Sequence, residues 1–491
     1  MILLVVAVYL CGLLLLGLSK ASGVDSQESF SLAKRGLGPF VLVGTLVATW
    51  TGTGSIFGLA EEAYGVGFAA LILPLGTAVG LVVLAVLCRK VRAKGRYTLQ
   101  DILEERFGPV ARILGTLTLV IAYLVIISYQ LRAGGAVAGR IFESQDMLAA
   151  GGMAPWAFVA VVALFIATYT ALAGMAGVSV TDTVNGILMI SGLLIALPVI
   201  WSAAGGMEGI EAAFAGAAAS SESASFEDVT LVGPYTAIHL ISYILPLFLL
   251  VIGDANLHQR FLSARSDSVA RRGALLLIPA VLIVDAVIIL VAVAGRAVVP
   301  SLENPGHVVM ELALGALPSL LGAILIASIL AVIISTADSY LLASATSLVR
   351  DVYQRFFKKD ASEQQLLTTS RVAVFVLVGL AFLLSFTSQE FFDVALFAYT
   401  IYGVGITPAL LAALFWKRAT PAGAITGMVS AVTLAVIWKI GELGRWSAEV
   451  LDLPAGAEID AVVPSILVAV VLLVVVSLVT TPRPVTGETP R

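Results

Sequence analysis

Thirteen apolar stretches, each long enough to cross a lipid bilayer, fill most of this chain of 491 residues. They lie near 2–19, 38–64, 67–88, 110–139, 155–173, 178–203, 234–253, 273–296, 312–346, 372–388, 392–416, 420–440 and 461–481. A spanning helix needs about 20 largely apolar residues. A backbone in lipid has to satisfy its own hydrogen bonds, so such runs predict helices and not strands. The expected class is an all-α polytopic membrane protein. Composition agrees, with 59% hydrophobic and 12% charged residues, against roughly 45–50% and 25% in soluble domains. That excludes a soluble globular domain and a disordered chain. A net charge of −4 leaves no basic face for nucleic acid. Cys11 and Cys88 sit in apolar runs and make no disulfide framework. The three His form no zinc-type cluster.

The first stretch lacks a positive leader and is followed by Lys20, so it reads as a membrane helix and not a cleaved signal. With the N-terminus outside, 23 of the 28 Lys and Arg fall on inside segments. The other five are Arg132, Arg140, Arg296, Lys439 and Arg445. The positive-inside rule therefore predicts a multi-pass protein of the plasma (cell inner) membrane with a cytoplasmic C-terminal tail, 482–491. The 203–231 segment has no Lys or Arg and is expected outside. No loop exceeds a few tens of residues, so any chemistry belongs inside the bilayer or at its rim. That favours transport over catalysis.

Polar residues inside spans are expensive and mark function. Four places stand out. In the second span, Ala48-Thr49-Trp50-Thr51-Gly52-Thr53-Gly54-Ser55 puts hydroxyls and glycines at mid-membrane. A helix would break there, and freed carbonyls at that depth line a cavity or bind a cation. The bland alternative is tight packing through Gly54 and Gly58. In the ninth span, Ser335, Asp338 and Ser339 share one helical face beside Thr336. These hard oxygens suit an alkali cation. The alternative is a protonated Asp338 bonded to its neighbours. In the sixth span, Asp182 reads equally as an ion ligand or as a charge near a helix N-terminus. In the seventh, Pro246 is expected to kink the helix before Gly253-Asp254. Two broken spans in matching halves point to a secondary transporter's site. His258 reads as interfacial, as do Glu61-Glu62, Arg132 reads as an interface anchor, and Asp285 has no explanation at this level.

These residues resemble a known family. Ser335-Thr336-Ala337-Asp338-Ser339-Tyr340-Leu341-Leu342, with Ser344, Ser347 and Asp351-Val352-Tyr353, resembles the signature of the sodium:solute symporter family. Ala171 to Met175, leading to Thr181-Asp182, is similar to its second signature, with Ala-Gly-Met in place of Gly-Gly-Leu. Gln259-Arg260-x-x-Ser263-Ala264-Arg265-Ser266 resembles the exit of its kinked span. The resemblance covers nearly the whole chain. It implies a LeuT-like inverted repeat of two five-helix units, 38–203 and 234–416. One extra N-terminal helix, 1–19, and two C-terminal helices, 420–481, flank them. It implies sodium as coupling ion, held by carbonyls of Ala48, Thr51 and Val332 and hydroxyls of Ser335 and Thr336. A possible second cation site falls on Asp182, Ser335, Asp338 and Ser339, although Asp338 departs from the hydroxyl expected there.

By position, the substrate contacts are Thr53, Gly54, Ser55 and Phe57, then Thr77, then Phe248, Leu250 and Asp254. That set is too apolar for a polyhydroxylated ring. The expected cargo is a small amino or imino acid, or a monocarboxylate, moved by sodium-coupled symport through alternating access. Its partners are that solute, sodium and membrane lipid; a monomer fits, and the sequence does not set the oligomeric state. Proton coupling on the same fold is the nearest alternative. An intramembrane enzyme would need a nucleophile with a base, of which none is apparent, or paired carboxylates, for which Asp182 with Asp338 is the best candidate. No ring-forming filter segment suggests a channel.

Overall fold

A computed structural model describes residues 1–144, 154–220, 235–387, 391–451 and 458–481, with only the backbone at 217–220, 391 and 392. The 482–491 tail and the later part of the 203–231 segment lie outside the described residues. Regular structure among these is helical, apart from one isolated bridge. The principal helices are α1 (Ile2–Ala21), α2 (Pro39–Trp50), α3 (Ala60–Val66), α4 (Pro74–Ala93), α5 (Pro109–Glu143), α6 (Pro155–Ala203) and α7 (Ala237–Gly253). Then come α8 (Ala255–Ser263), α9 (Asp267–Val298), α10 (Ser319–Ser347), α11 (Glu363–Leu384), α12 (Phe391–Phe415), α13 (Pro421–Ile440) and α14 (Val462–Val479). Several open on proline, whose missing N–H has no partner to lose in a first turn.

Twelve helical segments among the described residues are long and apolar enough to cross a membrane. One of them, α6, has 49 residues, roughly 73 Å if straight, more than twice the bilayer core. It is broken at Gly174, whose φ of 55° and ψ of −173° are open mainly to glycine. A Cβ there would also lie 3.2 Å from Val24 and 3.3 Å from Phe30. The turn makes α6 two crossings, as the separate 155–173 and 178–203 stretches predict.

Two other spans are interrupted. Helix α2 stops at Trp50, Thr51 is extended at φ −75° and ψ 102°, and a wide turn over Gly54–Leu59 leads into α3. This is the break expected near Gly52. The second break corrects an expectation. Helix α7 runs through Pro246 and ends seven residues later, at Gly253. Asp254 is extended at φ −61° and ψ 108°, and α8 restarts beyond it. Helices end where their freed groups find partners. Asp254 Oδ1 accepts from Leu257 N at 2.7 Å. Tyr402 Oη donates to the Gly253 carbonyl at 2.8 Å and accepts from Ala255 N at 3.1 Å. Tyr123 and Tyr340 donate to Asp254 Oδ2 at 3.2 and 3.4 Å. Pro246 offers no such replacement, so one lost bond there leaves the helix intact.

Helix α10 forms the centre, buried almost continuously from Gly322 to Ser347 and packed chiefly on α6 and α5. Helices α1, α13 and α14 lie outside it and expose Leu4, Val8, Leu15, Val429, Leu467 and Val475, a surface suited to lipid. The bridge ties the two broken spans together: Leu37 N donates to the Ser263 carbonyl and Arg265 N to the Leu37 carbonyl, both at 3.0 Å. Every residue of α8 is buried. His258, expected at the interface, bonds the Ile252 carbonyl at 2.9 Å and is fully buried. Arg260, counted among the inside loop charges, is equally buried.

Candidate functional site

The break in α2 faces the middle of α10. Ser335 Oγ donates to the carbonyls of Ala48 at 3.1 Å and Val332 at 3.2 Å. Thr336 Oγ1 donates to the Thr51 carbonyl at 3.2 Å. All five residues are at most 2% exposed. The break frees the carbonyl of Thr51, and helix phase on α10 presents the hydroxyls to it. Three carbonyls and two hydroxyls form a neutral set of hard oxygens, the donor chemistry of an alkali cation. The Thr51 hydroxyl is buried beside them without a partner. Bare backbone is needed here: a Cβ on Gly52 would lie 3.0 Å from both Thr336 Oγ1 and Gln130 Nε2. Gln130 is fully buried with neither amide atom bonded. Sequence reading passed over it, although a Gln amid the apolar fourth span was the available signal.

Asp182, Asp338 and Ser339 also come together, around a group not expected there. Arg260 Nη2 pairs with Asp182 Oδ2 at 3.1 Å, both side chains fully buried. The same nitrogen bonds Ser339 Oγ, Nε donates to Thr45 Oγ1 at 2.9 Å, and Nη1 reaches Asn256. Thr45 donates to Asp182 Oδ2 at 2.6 Å, and Ser339 to Asp338 Oδ1 at 3.2 Å. Asp182 thus bonds side chains and not the backbone of a first helical turn, so the capping reading does not describe it. The positive charge beside these carboxylates comes from the chain itself.

A small cavity lies against the broken end of α2, bounded by α4, α7, α9, α10 and α12. Gly54, Ser55, Thr77 and Leu250 line it, as expected. Thr53, Phe57, Phe248 and Asp254 are not part of that lining. Thr53 is buried with an unbonded hydroxyl. The Phe57 ring turns to His307, 5.9 Å between centroids. Phe248 packs on Leu249, Val404 and Val462, and Leu247 takes its place, three residues from Leu250 on one face. Both oxygens of Asp254 are used in capping α8 and by the tyrosines. The wall adds Trp50, Asp285, Tyr340 and Tyr399. Tyr399 shares a 3.1 Å bond with Tyr129 and rests on Gly54. A Cβ on Gly54 would lie 2.5 Å from the Tyr399 hydroxyl. Gly54→Val is expected to displace that ring and raise the solute KM by roughly tenfold, the effect of a 1.4 kcal/mol misfit. An unchanged KM in uptake kinetics would contradict it.

An all-helical membrane bundle with two interrupted spans facing a central cavity and an oxygen-lined break is the architecture of a secondary transporter. The chain belongs to the sodium:solute symporter family, whose sequence profile matches residues 30–430. It is 25% identical to the osmoregulated proline transporter OpuE of Bacillus subtilis, over 96% of this chain and 94% of that one. It is 26% identical to the sodium/proline symporter of Escherichia coli, over 89% and 88%. A solved Na+-coupled sialic acid symporter superposes with a TM-score of 0.79 at 17% identity, covering 98% of both chains. Mhp1, a nucleobase-cation-symport transporter, superposes at 0.59 and 13% identity, over 94% of this chain and 96% of that one. These superpositions carry the LeuT-like fold. The chain is therefore a multi-pass membrane transporter that couples sodium to a small organic solute, and not an enzyme.

Proposed function

We propose that this chain imports an amino or imino acid, or a monocarboxylate, with one sodium ion bound by Ala48, Thr51, Val332, Ser335 and Thr336. One observation carries the ion assignment: those five residues, drawn from two spans far apart in sequence, meet through bonds of 3.1–3.2 Å where α2 is interrupted. The stoichiometry follows from Arg260, which supplies the charge that a second ion would bring to Asp182, Asp338 and Ser339. The repeats are taken as 38–203 and 234–416, since each opens on a broken span. The N-terminus is placed outside on the loop charges.

Sodium entering from outside replaces the Ser335 and Thr336 hydroxyl protons as partner of the carbonyls, and steadies the outward-facing form. Solute then fills the cavity beside it. The two raise each other's affinity reciprocally, which is all that coupling requires. Each charge carried inward gains about 2.3 kcal/mol per 100 mV of membrane potential. The apolar wall supports an amphipathic solute over a sugar, whose hydroxyls each want a partner. Relatives named as proline transporters support the same choice.

The test is uptake into proteoliposomes, screening radiolabelled amino acids, short carboxylates and sugars. Accumulation is expected only under an inward sodium gradient. Accumulation that follows a proton gradient at zero sodium would overturn the proposal.

A further inference from the structure

We infer that Asp285 is the anchor for a protonated nitrogen on the solute, so that the cargo is an ammonium-bearing compound and not a simple carboxylate anion. This rests on the symport reading and adds to it the class of cargo. Asp285 lies in α9, 18 residues from its start and 13 from its end, roughly 27 and 20 Å along the axis. It is 2% exposed and borders the cavity. Its Oδ1 is buried with no hydrogen-bond partner. Ser55, also on the cavity wall, is the side chain that bonds the carboxyl group.

A carboxylate at membrane depth is costly unless something answers it. Asp182 and Asp338 also keep one unbonded oxygen each, but every other core carboxylate has a cation or a helix end beside it. Asp182 meets Arg260, Asp338 bonds the Ser339 that Arg260 also holds, Asp254 caps α8, and Asp351 meets Arg112 at 2.7 Å. Among the described residues Asp285 meets only the Ser55 hydroxyl, on one oxygen, and the cavity lining contains no Lys, Arg or His to supply a cation. It contains Trp50, Tyr340 and Tyr399 instead. Aromatic faces attract cations, and a carboxylate oxygen accepts the N–H bonds of an ammonium. A solute with only a negative charge would meet a like charge and no donor of opposite sign. An ammonium group answers the unpaired oxygen and leaves the empty cavity less favourable than the filled one.

The experiment compares matched pairs in proteoliposomes of the full chain: L-proline against cyclopentanecarboxylate, and L-alanine against propionate, with glucose added. Sodium-driven uptake of the amino member of each pair, and not its nitrogen-free partner, is expected. Asp285→Asn is expected to raise the KM for the amino member by about tenfold or more, the size of one lost charged hydrogen bond. Asp285→Glu should recover part of that loss. Sodium alone should still raise the melting temperature of Asp285→Asn, which shows the variant folded. Equal uptake of the nitrogen-free partners, uptake of glucose, or an unchanged KM in Asp285→Asn overturns the inference and leaves sodium symport standing. Uptake of none of these compounds, or uptake indifferent to sodium, overturns both. The paired comparison uses the unaltered chain and does not depend on any variant folding.

Discussion

Ser335→Ala and Thr336→Ala are each expected to raise the sodium concentration for half-maximal uptake by about tenfold or more, the consequence of losing roughly 1.4 kcal/mol of ion binding. Each change removes one of five neutral oxygens from a site that is at most 2% exposed. Water cannot readily take the vacated place, and the carbonyl of Ala48 or of Thr51 loses its partner. Solute KM at saturating sodium should move far less, because neither residue lines the cavity. Thr336→Ser keeps the hydroxyl and should restore most of the sodium response. The measurement is initial uptake against sodium concentration. Wild-type curves from both alanine variants would show that the ion binds elsewhere.

The greatest loss of stability is expected at Arg260. Removing one partner of a buried ion pair strands the other, at a cost of about 3–5 kcal/mol. Here Asp182 and Asp338 would both be left without their cation in a fully buried cluster. Arg260→Met should therefore lower the melting temperature in detergent sharply and abolish uptake. Arg260→Met combined with Asp182→Asn should melt higher than Arg260→Met alone, since less bare charge is left behind. A single variant that melts and transports like wild type would remove the pair from the account.

The helices and both break regions were legible because lipid imposes simple rules. Apolar runs set the spans, including the separate 155–173 and 178–203 stretches, and Gly52 and the hydroxyls around Thr51 set the interruption of α2. Ser335 and Thr336 were legible for the same reason, as oxygens that lipid would not tolerate without purpose. Three things were not. Arg260 follows a span that hydropathy ends at Gly253, so it reads as a loop charge. Two unpaired carboxylates in the sixth and ninth spans were the signal that a cation had to lie at their depth. Pro246 drew attention from Asp254 because proline's lost bond is visible in sequence, whereas the caps from Tyr123, Tyr340 and Tyr402 come from other spans. Phe248 and Leu247 differ only in helix phase, which a run of apolar residues does not reveal.

Binding of ²²Na⁺ to the purified chain at equilibrium tests the ion assignment most directly. Unaltered protein should hold close to one saturable sodium per chain. The Ser335→Ala, Thr336→Ala double variant, folded by its melting curve, should hold none over the same range. Undiminished binding to that double variant would contradict the account.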